Sequence, residues 1–332
     1  MKGKMTAYLA ALTTITLWGL SYIWADRLLD QGIPVEFFVP ARSLAAGVLL
    51  FCINKIARKD MRIRRKDWVK FLLLALCMPF IYFVAETYGL YLTESPTITA
   101  LVVATNPIFA MIVGMLIFKE KFSPLNIAGV FIALGGLWLV SWTNGSTGQY
   151  FIWGILILFI AVISEVSQIA FTKSLSDTYA PSVIVMYQFL FGAVYFLPLF
   201  LTKGIKDFQP SLYLGWSVIY PTLALALLCS ATAFTTWAYA IKHLGVAHTS
   251  VFLALSPLMT AFFAFLFGEE TLTTIQWTGL AIGMAGIYLT QIVTTQKKNN
   301  DTERSLRDLQ AAGSSAGAPE LYRPGAETER DI

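Results

Sequence analysis

The sequence predicts an all-α integral membrane protein of ten transmembrane helices, arranged as two inverted five-helix repeats. Three observations predict it. The chain of 332 residues is 56% hydrophobic and only 13% charged, with a mean hydropathy of +0.64, whereas a soluble domain carries about 25% charged residues. No soluble fold of this size could hide so much apolar surface, so the solvent is lipid. Ten apolar segments follow one another, each about 19 to 30 residues long against the roughly 20 needed to cross the hydrocarbon as helix. The chain also repeats itself without gaps at an offset of about 150 residues. Asn106-Pro107, an apolar run and Lys119-Glu120 return as Ser256-Pro257, an apolar run and Glu269-Glu270. Thr99, Ala104, Leu116, Gly129, Ile132, Gly136 and Leu139 return as Thr249, Ala254, Leu266, Gly279, Ile282, Gly286 and Leu289.

Taken in order, the spans run approximately 6–25, 35–56, 68–92, 97–118, 124–142, 151–173, 181–201, 212–241, 246–267 and 274–293. Lys2 and Lys4 ahead of the first could mimic a signal peptide, but no small-residue cleavage site follows and more spans do, so it is read as a span. Between the second and third lies a basic cluster of Lys55, Arg58, Lys59, Arg62, Arg64, Arg65, Lys66 and Lys70. A cytoplasmic loop explains it better than nucleic-acid binding. That loop puts both termini in the cytoplasm, with Lys2, Lys4, Lys297 and Lys298, and also Lys119, Lys121, Lys173 and Lys242. Tight connections follow at Glu94-Ser95-Pro96, Phe122-Ser123-Pro124 and Thr143 to Gln149. The first repeat is 1–142 and the second 151–293; 294–332 reads as a disordered cytoplasmic tail, polar and rich in Gly, Ala and Ser. Because each repeat holds an odd number of spans, the second enters the membrane upside down. Glu120 then faces the cytoplasm and Glu270 the outside. Two halves of opposite orientation can exchange conformations, which is the physical basis of alternating access.

Several chemistries find no support. Cys52, Cys77 and Cys229 lie within apolar runs and form no paired framework. His243 and His248 have no ligand spacing with acids or thiols. No metal and no cofactor is implied. No GK[ST] loop points to ATP, and neither HExxH nor GxSxG is present to suggest an integral-membrane enzyme. A non-transporting membrane receptor or scaffold gains nothing evident from an inverted duplication.

The chain resembles the drug/metabolite transporter superfamily, EamA type, over roughly residues 6–293. The resemblance rests on Trp18-Gly19, on Arg42-Ser43-Leu44-Ala45-Ala46, on Asn106-Pro107 through Glu120 with Gly129 and Gly136, and on Ser256-Pro257 through Glu270 with Gly279 and Gly286. It implies two bundles of five helices, a central cavity, and movement of small organic metabolites, frequently outward, across the cytoplasmic (inner) membrane.

Ionisable groups within spans are costly and therefore functional candidates, and Arg42, Glu86 and Glu165 stand out. From a 1.5 Å rise per residue, Arg42 and Glu86 lie about 10 and 9 Å below the outer ends of their spans, and Glu165 roughly 12 Å from the inner end of its own. Arg42 and Glu86 could form a structural ion pair. They could equally attract the carboxylate and the amine of a substrate. Glu165 has no basic neighbour in sequence, and a buried carboxyl of that kind is what proton coupling needs. Glu165, Gln168 and Thr172 share a helix face, as do Tyr82, Glu86 and Gly89, and Trp18 and Tyr22. Tyr187 with Gln188, and Thr236 with Trp237 and Tyr239, add polar and aromatic groups. Such a set suits a small amphipathic molecule, whereas Trp142, Tyr150 and Trp153 fit an interfacial belt.

Pro107 and Pro257 occupy matching positions and would each free a carbonyl and kink a span, as a hinge or as static packing. Asn106 and Ser256 precede them as candidate cavity hydrogen-bonding groups. Glu120 and Glu270 oppose the helix dipole; capping of the helices that begin at Asn126 and Thr274 would explain both, in a structural or gating role. Gly129, Ala133 and Gly136, echoed by Gly279, Gly283 and Gly286, allow close helix approach. They could seal the bundle or form a homodimer, and their presence in both copies favours internal packing. The expected function is secondary transport of amino acids or similar small molecules, by proton exchange or facilitated diffusion.

Overall fold

A computed structural model describes residues 2–106, 108–109, 124–143, 150–204, 210–245, 249 and 251–290. Among these, regular structure is entirely helical. In lipid the backbone finds no water to bond, so Val-, Ile- and aromatic-rich segments that would be poor helices in water close their bonds within the segment. We number the helices α1 (Lys2–Asp30), α2 (Val35–Ile56), α3 (Trp68–Ala75), α4 (Tyr82–Thr93), α5 (Pro96–Val103) and α6 (Pro124–Thr143). Then come α7 (Phe151–Ser176), α8 (Pro181–Leu199), α9 (Trp216–Ala224), α10 (Ala233–Leu244), α11 (Ser256–Phe267) and α12 (274–290). Among the described residues six stretches are long and apolar enough to cross a membrane: Met5–Asp30, Val35–Ile56, Arg65–Thr93, Phe151–Ser176, Pro181–Gly204 and Trp216–Leu244. Pro124–Val140 and Phe252–Phe267 are shorter apolar helices. Pro107, Glu120, residues 110–118 of the fourth predicted span, Lys119, Lys121, His248, most of the 143–149 connection and the 294–332 tail lie outside the described residues.

Local chemistry explains the ends. Ser95 caps α5, its Oγ accepting from Ile98 N at 3.1 Å, with Pro96 in the first turn; that proline has no N–H to leave unsatisfied. Gly268 closes α11 in the left-handed conformation, φ +71, which glycine adopts without strain. Two long helices are interrupted. A π-helical stretch at Leu76–Ile81 separates α3 from α4, with Met78 in extended geometry before Pro79. A second at Leu225–Thr232 separates α9 from α10. The two interruptions begin about 150 residues apart, the offset of the sequence repeat. Neither is visible in the hydropathy pattern, which is continuous through both.

The helices pair as α2 with α8, α4 with α7, α1 with α10 and α11, and α5 with α11. Phe83, Phe189 and Phe234 meet at the centre, with ring centroids 5.3–6.2 Å apart. The small-residue motifs of α6 and α12 face each other. A Cβ added to Gly136 would stand 2.2 Å from Gly283 N, and one on Gly286 2.3 Å from Ala133 N, so these glycines seal the two helices within one chain. Large apolar side chains cover the outside, among them Phe131, Trp138, Tyr150, Trp153 and Trp216, all at least 59% exposed. That surface is stable only against lipid.

Candidate functional site

Between the helices lies a cavity, about 460 Å³ of space free of protein atoms when its part open to solvent is counted. Long helices bring the predicted residues there from distant parts of the chain. Trp18 and Tyr22 come from α1, Arg42 from α2, Tyr82 and Glu86 from α4, Glu165 from α7 and Ser256 from the start of α11. All seven line the cavity, and all but Trp18 are at most 9% exposed. Sequence reasoning missed Ser21, Met78, Phe83 and Phe234, which also line it. Phe83 and Met78 could have been found from the helix face shared with Tyr82 and Glu86; Phe234 carries no signal that separates it from core.

Arg42 makes no salt bridge among the described residues. Its guanidinium carbon sits 3.7 Å from the centroid of the Phe83 ring, and its Nε donates to Ser230 Oγ at 3.2 Å. Glu86 instead accepts from the Tyr82 hydroxyl at 2.7 Å. The direct ion pair that the sequence allowed between Arg42 and Glu86 is not among the ion pairs of the described residues. The physical reason is competition: the aromatic face and the Ser230 hydroxyl hold the guanidinium, and a tyrosine one turn earlier on the same helix satisfies the carboxylate. The two charges remain within electrostatic reach. One guanidinium and two carboxylates thus share one buried space.

Asn106 lies beside the Glu165 carboxyl, just outside the lining. Glu165 Oε2, Asn106 Nδ2 and Trp18 Nε1 are among the buried side-chain atoms with no well-formed hydrogen bond within the described residues, and the neighbouring Asn106 is the side chain placed to bond Glu165. Such atoms are expensive to leave unpaired, and all three stand at the cavity or beside it.

Three predicted residues are elsewhere. Gln168 is buried one turn below Glu165 and donates to Thr172 Oγ1 at 2.9 Å. Trp237 packs at a tilt against Trp18, ring centroids 5.2 Å apart, in a cluster with Ile15, Ile169, Ile241 and Leu253. Tyr187 is away from it altogether, its hydroxyl donating to Met61 O at 2.6 Å in the basic loop.

Pro257 stands in the first turn of α11, directly after a 3₁₀ stretch at Val251–Leu255, so the helix changes type at the proline. Glu270 caps a different helix from the one expected. Its carboxylate accepts from Ser95 Oγ at 2.6 Å, Thr97 Oγ1 at 2.5 Å and Thr97 N at 3.2 Å, at the start of α5. The start of α12 is capped locally instead, Thr273 N donating to Gln276 Oε1 at 2.7 Å. A carboxylate that ends one helix suits the open N–H groups of an antiparallel neighbour, and α5 is that neighbour. Beside it Arg27 Nε bonds Glu269 Oε1 at 2.5 Å and lies over the Phe267 ring. These contacts tie α1, α5 and α11 together at the predicted outer end.

The family model described as the EamA-like transporter family matches this chain twice, over residues 5–142 and 152–292. An uncharacterized transporter of Bacillus subtilis, YetK, is 24% identical over 304 residues, which cover 89% of this chain and 90% of that protein. A probable terminal-alkyne amino-acid exporter of Streptantibioticus cattleyicolor is 27% identical over 299 residues, 87% of this chain and 94% of that protein. A solved crystal structure with 17% sequence identity superposes with a TM-score of 0.65, over 88% of this chain and 98% of its own. At that identity the likeness speaks for the fold alone.

Proposed function

This chain belongs to the EamA-like transporter family, and we propose that it is a secondary carrier of small zwitterionic metabolites, amino acids foremost, working outward across the cytoplasmic membrane. The observation that carries the cargo class is the charge pattern of the cavity. Arg42, fixed by Phe83 and Ser230 with no acid bound to it, is free to receive a carboxylate. Glu86 and Glu165 stand in the same space for an ammonium group. The aromatic walls of Trp18, Tyr22 and Phe234 offer an apolar surface to the side chain of such a molecule. The amino-acid exporter among its relatives supports the same class.

Ten spans in two inverted repeats, with both termini in the cytoplasm, supply the frame. The matched halves of the family model and the paired π-helical interruptions support it. Access alternates as the repeats exchange conformations, Pro107 and Pro257 serving as hinges and Glu120 and Glu270 as gating groups. Glu165 carries the coupling proton, an assignment supported by its burial and by its unpartnered oxygen.

Counterflow in proteoliposomes with labelled amino acids at two internal pH values tests this. Saturable exchange that follows the pH gradient, and that loses this dependence in Glu165→Gln, is expected. Exchange indifferent to pH in the wild type would leave a facilitator and refute the coupling. Absence of flux for every amino acid would refute the cargo class.

A further inference from the structure

The basic segment between α2 and α3 is folded, and this goes beyond what a topology signal requires. Asn54 and Ser182 exchange bonds, Nδ2 to Ser182 O at 3.1 Å and Ser182 Oγ to Asn54 Oδ1 at 2.6 Å. Lys59 Nζ donates to Ser182 Oγ at 2.7 Å, and Tyr187 holds Met61 O. Arg64 N donates to Tyr179 Oη at 3.0 Å, which in turn donates to Asp67 at 2.9 Å. The backbone is thereby fixed to the ends of α7 and α8.

The charges are not so engaged. Lys55, Arg58, Arg62, Arg64, Arg65 and Lys66 are all exposed, and none makes an ion pair among the described residues. The segment offers two acids. Asp67 is buried against Tyr179 and Lys70, and Asp60 accepts from Arg62 N. On both sides the segment runs into lipid-facing surface, Phe51, Ile53 and Ile56 at the end of α2 and Trp68, Val69 and Leu72 at the start of α3. The cations therefore stand at the level where the apolar belt ends.

We propose that this segment is a binding site for anionic phospholipid headgroups, receiving their phosphates on Arg62, Arg65 and Lys66 with the acyl chains along Phe51, Ile56 and Trp68. A charge bias alone would orient the chain equally well from a floppy loop. A loop pinned by hydroxyls, with its guanidinium groups left unpaired beside an apolar wall, presents fixed charge to a fixed plane. The inference rests on the membrane-spanning reading of the chain and on no particular cargo.

The test is lipid retention by the purified full chain, read by native mass spectrometry after exchange in mixed phosphatidylglycerol and phosphatidylcholine. Wild type is expected to keep phosphatidylglycerol selectively. Each charge removed should weaken retention about fivefold, so Arg65→Gln loses about fivefold and the triple change Arg62→Gln, Arg65→Gln, Lys66→Gln loses on the order of 100-fold. Arg62→Lys with Arg65→Lys keeps the charge and should keep the lipid, which guards against a folding defect in the triple variant. Equal retention of the two lipids by wild type would overturn the proposal. So would unchanged retention in the triple variant, or displacement of the lipid by free glycerol phosphate at equal concentration, which would mark a general anion patch.

Discussion

Removing the Glu270 carboxylate should open the predicted outer end. Glu270 is half-buried and accepts three hydrogen bonds from Ser95 and Thr97. Bonds to a charged acceptor are worth about 1.5–3 kcal/mol each, and partial exposure reduces the sum to about 2 kcal/mol for the set. The neighbouring Arg27–Glu269 pair has side chains 35% and 19% exposed, and a pair of that exposure contributes about 0–1 kcal/mol. Glu270 should therefore dominate. Glu270→Ala should raise the ratio of outward-open to outward-closed molecules about 30-fold, and Glu270→Gln, which keeps an acceptor, about fivefold. Arg27→Ala should move it no more than about fivefold. The reporter is Ser21→Cys, in the cavity wall, in a background lacking Cys52, Cys77 and Cys229. Its labelling by an impermeant maleimide added outside is timed for each variant. Unchanged labelling in Glu270→Ala, with the protein folded and inserted, would refute the claim that this contact holds the end shut. An effect of Arg27→Ala equal to that of Glu270→Ala would refute the ranking.

Three further outcomes follow from particular contacts. Gly136→Ala should destabilise the detergent-solubilised protein by on the order of 2 kcal/mol, because its methyl meets the Gly283 backbone. Gly135→Ala, with nothing within 4 Å, should leave the thermal melt where it was. The exchange Arg42→Glu with Glu86→Arg should not restore transport, since Phe83, Ser230 and Tyr82 hold the two groups separately; recovered counterflow would argue for a plain ion pair. Tyr179→Phe should cost about 1 kcal/mol. Burial first, and then the bond to Asp67, push the Tyr179 phenol above its ordinary range. A group with a raised folded value lends stability below its unfolded value, about pH 10, and loses it as pH climbs through the folded one. The wild-type loop should thus be indifferent to pH from 6 to 9, by limited proteolysis after Arg62 or Arg65.

The sequence was most legible where one property repeats. Apolar length predicted the six long helices, and the Gly129, Gly136, Gly279 and Gly286 pattern pointed to close packing within the chain, though not to the α6–α12 pairing that realises it. Charge within apolar runs found Arg42, Glu86 and Glu165, since lipid makes an idle charge expensive. What the sequence could not supply was the partner across space. Ser230 and Phe83 capture Arg42 from segments that look like ordinary core. Tyr187 sits one position from Gln188 on a helix, yet its hydroxyl reaches a loop carbonyl instead of the cavity. In sequence Glu270 reads as a cap for a neighbouring helix at Asn126 or Thr274, and geometry gives it to α5. The π-helical stretches at 76–81 and 225–232 were illegible because hydropathy does not sense how backbone bonds are closed.

Those interruptions separate the polar groups into two kinds. Irregular backbone at membrane depth frees carbonyls that lipid cannot satisfy, so each needs a protein donor. Ser164 Oγ gives one to Cys77 O at 2.6 Å, inside the first interruption. Side chains of the second are engaged differently: Cys229 Sγ donates to Leu17 O of α1 at 3.0 Å, and Ser230 Oγ accepts from Arg42. Ser164, Cys229 and Ser230 are thus engaged by structure. Trp18 Nε1, Asn106 Nδ2 and Glu165 Oε2 are buried as well and have no well-formed bond among the described residues. Three such atoms stand at or beside one cavity, where the proposed cargo would bond them. Two donors and a carboxyl oxygen are complementary to the acceptor and donor ends of a zwitterion, the cargo class the Arg42 geometry also favours.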